Sequence, residues 1–245
     1  MLEGDLQLYC AELVGTAMLL FMGLSVIANI SLKASGMFGS GGLAAALGWG
    51  SAMTATAVVV GPISGAHVNP AFTLGFWLSG ALPTRLVPGY ILAQIAGAVL
   101  GTLLVWLLYK DHLDLEQEAA TKRGVFVTEP SLANFWRNIL AEATATFALM
   151  LVVLSLGKHG MPAGIGLLHV YIGLSGGVMA FGGLTGYAIN PVRDLVPRLM
   201  YSLLPIRGKG QAQWSYALVP VLGPCLGAAC AAGVAFILGT PAGVA

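Results

Sequence analysis

The few polar side chains set among apolar ones limit what this chain can do chemically. Two stretches hold most of them: Ser64-Gly65-Ala66-His67-Val68-Asn69-Pro70-Ala71 and Thr185-Gly186-Tyr187-Ala188-Ile189-Asn190-Pro191-Val192-Arg193-Asp194. Each passes from a glycine through Asn-Pro into an apolar run. Proline suits the first position of a helix and asparagine is a good N-cap, so each stretch reads as an extended loop feeding a short helix. A side-chain amide carries two N–H donors. The first backbone N–H groups of a helix are unpaired, and that end carries partial positive charge. Asn69 and Asn190 would therefore hold a neutral oxygen acceptor, a water or a hydroxyl, and repel a cation. This is recognition, not bond breaking. No nucleophile–base pair, metal-ligand cluster or phosphate-binding loop is visible in the sequence, so no enzymatic activity, metal or cofactor is expected.

Three charges stand in apolar surroundings. Arg193, three residues after Asn190, is expensive there and functional by default. The plainer alternative is an arginine whose stem lies along apolar surface while its head reaches water. Glu12 and Glu142 are single carboxylates inside apolar runs, and each needs donors around it. A proton relay is the alternative for that pair. His169, alone in another apolar run, is expected to be a satisfied interior histidine, and His112 and His159 carry no signal.

The elements that must position these residues are spans of a bilayer. The chain is 57% hydrophobic and 9% charged, with a mean hydropathy of +0.85. Soluble domains carry roughly 25% charged residues. A net charge of +1 gives nucleic acid nothing to hold. Cys10, Cys225 and Cys230 lie in apolar runs and read as small buried hydrophobes, not a disulfide framework. Glu3 and Asp5 stand where a signal peptide would be basic, so the first run is expected to stay as a span.

A span needs about 20 mostly apolar residues. Six candidates qualify: about Leu8–Ile30, Gly42–Val60, Leu86–Leu108, Phe135–Leu156, Ala163–Phe181 and Tyr216–Leu238. The two Asn-Pro segments, about Gly61–Leu78 and Gly182–Tyr201, add two half-spans. A charged connector at about Tyr109–Ala133 should lie outside the bilayer. Glu12 and Glu142 are 130 apart, as are Gly97-Ala98 and Gly227-Ala228, while Asn69 and Asn190 are 121 apart. The halves, about 8–108 and 134–238, thus read as repeats within a single channel domain over 1–245. An odd number of spans per half inverts the second, and the two half-helices then meet head to head. Extended backbone at membrane depth is tolerated where it is buried in protein or lines a water-filled cavity, so two such loops imply a pore.

With Ser-Gly-Ala-His-x-Asn-Pro-Ala and Asn-Pro-x-Arg-Asp, the chain resembles the aquaporin superfamily, and within it the glycerol-facilitator branch, from about Glu12 to about Leu238. The resemblance implies an all-α membrane protein of six transmembrane helices and two re-entrant half-helices. It implies a passive channel for glycerol and related small uncharged polyols, with some water, that excludes protons and ions. It places Asn69 and Asn190 at the pore centre. By ungapped spacing, Trp49, Val178, Tyr187 and Arg193 match the family's outer filter. Val178 stands where glycine is usual, Tyr187 where phenylalanine is usual, and Val192 where the family has alanine. Glu12 and Glu142 would accept from loop N–H groups and turn carbonyls of Gly65, Ala66, His67, Tyr187, Ala188 and Ile189 into the channel. His67 is expected to be a structural neighbour of its own loop, and Asp194 to shape the second loop through a charge pair with Arg198. The family also implies a homotetramer in the cell membrane, with lipid and small neutral solutes as partners. The alternatives are a channel for water, urea, ammonia or a metalloid hydroxide, a coupled transporter using Glu12 and Glu142, and a non-conducting structural protein. The family's cytoplasmic termini would leave Arg85 and Lys158 inside and Lys33, Lys110, Lys122, Arg123, Arg207 and Lys209 outside, against the usual bias of basic residues. The family orientation is nevertheless expected, because the pore loops are the more specific signal. The glycine- and alanine-rich third and sixth spans would serve helix contacts, either within one subunit or between subunits.

Overall fold

The computed structural model describes residues 2–156 and 163–239. Lys158 and His159 lie outside the described residues, as does the side chain of Glu3. Six helices are long and apolar enough to cross a membrane, and no strand occurs among the described residues. In chain order the elements are α1 (Leu2–Ser31), α2 (Gly41–Ser64), α3 (Pro70–Leu78), α4 (Val87–Leu115), α5 (Ala119–Phe126), α6 (Phe135–Leu156), α7 (Ala163–Thr185), α8 (Pro191–Leu203) and α9 (Val219–Ile237). The half-helices α3 and α8 begin at the two Asn-Pro dipeptides.

Several ends differ from expectation, each for a local reason. α2 does not stop at Val60 but carries Pro62 in its last turn. A proline crowds the side chain before it, and here that residue is Gly61. The helix closes at Gly65, left-handed at φ +81°, whose N–H donates to Gly61 O at 2.9 Å. α7 likewise runs past Phe181 to close at Gly186, φ +82°, with its N–H on Gly182 O at 2.9 Å. α4 continues to Leu115, supported by a Lys110–Asp114 ion pair one turn apart (2.5 Å) and by Asn29 Nδ2 donating to Tyr109 Oη (2.8 Å). The connector is not merely a polar loop. It contains α5, which buries Val125 and Phe126, and whose Arg123 is gripped by Glu129. That carboxylate raises the Arg123 pKa.

The helices pack through small residues. α1 crosses α4 where a Cβ on Gly97 would lie 2.2 Å from Leu13 O and one on Gly101 2.5 Å from Ala17 O. α6 crosses α9 where a Cβ on Gly227 would lie 2.2 Å from Ala143 O. These glycines therefore serve contacts within the chain, as close backbone approach in lipid requires. α3 packs against α4 and α9, and α8 against α4 and α9, so each half-helix is wedged between helices of both halves. Large apolar side chains such as Leu92, Leu140, Ile172 and Phe236 face outward, as they must toward lipid.

Candidate functional site

Each Asn caps its own half-helix. Asn69 Oδ1 accepts from Ala71 N (2.9 Å), and Asn190 Oδ1 from Val192 N (3.1 Å) and Arg193 N (3.3 Å). The amides also reach across. Asn69 Nδ2 donates to Ile189 O, and Asn190 Nδ2 to Val68 O, both at 2.9 Å. The two helix N-termini thus face each other. One N–H of each amide is committed to this crossing, which leaves the second for a ligand.

The loops before the Asn residues share one backbone. Gly65, Ala66 and Val68 have positive φ, His67 does not, and Gly186, Tyr187 and Ile189 repeat the pattern around Ala188. Non-glycine residues in this region cost about 1–3 kcal/mol each, and β-branched ones are true outliers. Nothing in residue type announces such strain at Val68 and Ile189. The compensation comes from two carboxylates without exposure. Glu12 Oε1 accepts from Ser64 Oγ (2.7 Å) and His67 N (2.9 Å), and its Oε2 from Val68 N and Gln94 Nε2 (both 2.7 Å). Glu142 accepts from Ala188 N (3.0 Å) and Ile189 N (2.8 Å). Gln94 went unread in the sequence, although a lone amide in an apolar span is the same kind of signal as Glu12. It also donates to Thr73 Oγ1 (2.9 Å), which faces His67 Nδ1 at 3.3 Å, while the His67 ring stacks on Phe76 at 4.3 Å.

A cavity of about 630 Å³ runs past both loops. Gly65, Ala66, His67, Asn69, Tyr187, Ala188, Ile189 and Asn190 line it, as do Trp49, Val178 and Arg193; Glu12 and Glu142 stand behind it. The wall is otherwise apolar. The Arg193 guanidinium carbon sits 4.5 Å over the Trp49 ring, and Nη1 donates to Phe126 O at 3.3 Å. Cation–π contact and one carbonyl leave most of its donors free. The Tyr187 ring stacks on Phe181, and its hydroxyl lies over Gly177, where a Cβ would approach to 1.9 Å. That hydroxyl finds no hydrogen-bond partner among the described residues. Asp194 and Arg198 form a bidentate pair (2.7 and 2.9 Å) with no exposure on either side chain. His169 differs from expectation: it lies on the outer face of α7, its ring bonded one turn back to Ile165 O at 2.7 Å. Cys10 and Cys230 are likewise exposed, not buried, because they fall on the outward faces of α1 and α9.

Comparison with known proteins agrees with this architecture. The glycerol uptake facilitator protein of Streptococcus pneumoniae (strain ATCC BAA-255 / R6) is 44% identical over 220 residues, covering 90% of this chain and 94% of that one. The glycerol uptake facilitator protein of Bacillus subtilis (strain 168) is 43% identical over 224 residues, covering 89% and 80%. The X-ray structure of the aquaglyceroporin from Plasmodium falciparum superposes with a TM-score of 0.82 at 27% identity, covering 94% of this chain and 95% of that one. Residues 3–235 match the family described as Major intrinsic protein, and the chain belongs to that family.

Proposed function

We propose that the protein is a passive channel for glycerol and related small uncharged polyols, passing some water and excluding protons and other ions. The observation that carries this reading is the reciprocal crossing of Asn69 and Asn190 between two facing half-helices on the cavity wall. A passing hydroxyl accepts the free N–H of each amide and is oriented there. Two positive helix ends at one point disfavour a hydrated proton, the barrier general to aquaporin-type pores. Loop carbonyls on the other side of the path accept solute hydroxyls. At the outer constriction the Arg193 donors and the Tyr187 hydroxyl bind the polar edge of a polyol, while Trp49 and Val178 receive its carbon chain. Glu12 and Glu142 act as loop anchors, not proton carriers, because loop N–H groups occupy both oxygens of each.

The unit of function is one domain over 1–245 with inverted repeats, assembled as a homotetramer in the cell membrane with both termini cytoplasmic. The exposed apolar faces of α2 and α7, with Leu47, Val58, Val59 and Leu168 turned away from the cavity, support subunit contacts. The basic residues of the face bearing α5 are bound into the fold: Lys33 pairs with Glu116, and Lys122 donates to Arg207 O. These bonds give Lys33 and Lys122 a structural role beside any topogenic one.

In proteoliposomes, stopped-flow light scattering is expected to show glycerol entry well above protein-free vesicles, with no proton or sodium current at zero glycerol. A measurable ion conductance would remove the proposed mechanism. Val178→Gly should raise the glycerol-to-water permeability ratio, because a stiff β-branched side chain leaves the constriction. About 1.4 kcal/mol of relief is a tenfold change. The ratio cancels protein amount, and an unchanged or lower ratio would take Val178 out of the filter.

A further inference from the structure

The buried Asp194–Arg198 pair does more than bridge one turn of α8. Asp194 Oδ2 also accepts from Thr128 N (2.8 Å) and Thr128 Oγ1 (2.6 Å). Arg198 Nη2 donates to Thr128 O (2.9 Å), and Nη1 to Ala212 O (2.5 Å) and Gln213 O (3.0 Å). All three polar groups of Thr128 are therefore held by this pair. Thr128 is itself only 3% exposed. Two residues earlier lies Phe126, whose carbonyl is the acceptor for Arg193 Nη1. Three residues later Ser131 N donates to Leu184 O (3.0 Å), and Thr128 packs on Gly186, where a Cβ would come within 3.0 Å of Thr128 Cβ. Residues 126–131 thus form a strap over the second pore loop, riveted at Thr128.

We propose that Thr128, held by Asp194 and Arg198, is a positioning residue that fixes the Arg193 guanidinium through the Phe126 carbonyl and so sets the glycerol-to-water preference of the constriction. This rests on the reading of Arg193 as the solute-facing donor. A buried ion pair costs desolvation and is weak evidence for stability alone. What this pair holds is a strap outside its own helix, and the strap carries the hydrogen-bond acceptor that aims Arg193. Guanidinium recognition is directional. A polyol that must meet its donors with neighbouring hydroxyls suffers more from a loosened guanidinium than single-file water does.

The test is Thr128→Val, which keeps volume and removes the hydroxyl, read as the glycerol-to-water permeability ratio in proteoliposomes beside Thr128→Ser. Thr128→Val should lower the ratio about fivefold, the scale of one lost hydrogen bond. Thr128→Ser should restore it. In an Arg193→Lys background, Thr128→Val should change the ratio no further, because its effect passes through Arg193. An unchanged ratio in Thr128→Val, equal loss in Thr128→Ser, or an additive loss in the Arg193→Lys background would each overturn the proposal. If Thr128→Val does not fold, Thr128→Ala removes the same hydroxyl without crowding and is judged by the same outcomes. The channel reading fails separately, by the parent protein showing no glycerol flux above empty vesicles.

Discussion

Glu12→Gln and Glu142→Gln should each cost about 2–4 kcal/mol of stability, the range for losing a charge-assisted hydrogen bond and orphaning its donor, and should lower glycerol flux by about tenfold or more. An amide has one acceptor oxygen where the carboxylate has two. Whichever way the amide replacing the Glu12 carboxylate turns, its NH2 group meets a backbone donor, either His67 N or Val68 N. The amide replacing the Glu142 carboxylate meets Ala188 N or Ile189 N in the same way. Ser64 can rotate its hydroxyl to adapt, but a backbone N–H cannot. The orphaned group lies beside Val68 or Ile189, whose left-handed backbone is already strained. Relaxation of that strain would turn the carbonyls that Asn69 and Asn190 grip away from them. The two variants should therefore behave alike despite their different surroundings. Thermal unfolding in detergent and stopped-flow flux measure both effects. Full stability together with full flux in either variant would refute the anchor role for that residue.

The polar pattern made the frame legible. Asn69-Pro70 and Asn190-Pro191 are strong capping chemistry, and α3 and α8 begin there. The start of α6 at Phe135 was readable to the residue because a charged connector precedes it. The ends of α2 and α7 were not, because Gly61-Pro62 and Gly182-Gly183 look like breakers. They act instead as tolerant last turns ahead of a left-handed glycine. The alternating loop backbone was hidden for a deeper reason. Ala66, Val68, Tyr187 and Ile189 adopt it against their own preference, under tertiary hydrogen bonds from α1, α6 and the opposite loop. Local residue type cannot report a conformation imposed from that distance. The strap through Thr128 escaped for a similar reason, since its partners lie 66 and 70 residues away.

Gly97→Ala and Gly227→Ala are the sharper probes, since each adds one methyl group far from any solute and should still impair the channel. The added Cβ would lie 2.2 Å from Leu13 O in the first case and from Ala143 O in the second. Ordinary contact needs roughly 1 Å more, and a backbone carbonyl in a packed helix cannot step aside. The helices themselves must part, α1 from α4 or α6 from α9. Leu13 follows Glu12, and Ala143 follows Glu142. The displacement therefore falls on the turn that carries the loop anchor, and moves its carboxylate off the loop N–H groups. Overpacking of this kind costs about 1–3 kcal/mol, and a misplacement of about 1 Å can cost up to a hundredfold in rate. Gly124→Ala is the control. Its Cβ meets nothing within 4 Å on α5, and alanine favours a helix over glycine by up to about 1 kcal/mol, so stability should hold or rise. Unfolding midpoint and glycerol flux per folded protein separate the three variants. If Gly97→Ala or Gly227→Ala retained parental values of both, the crossing would be looser than described, and helix packing would not be what holds Glu12 and Glu142 against the pore loops.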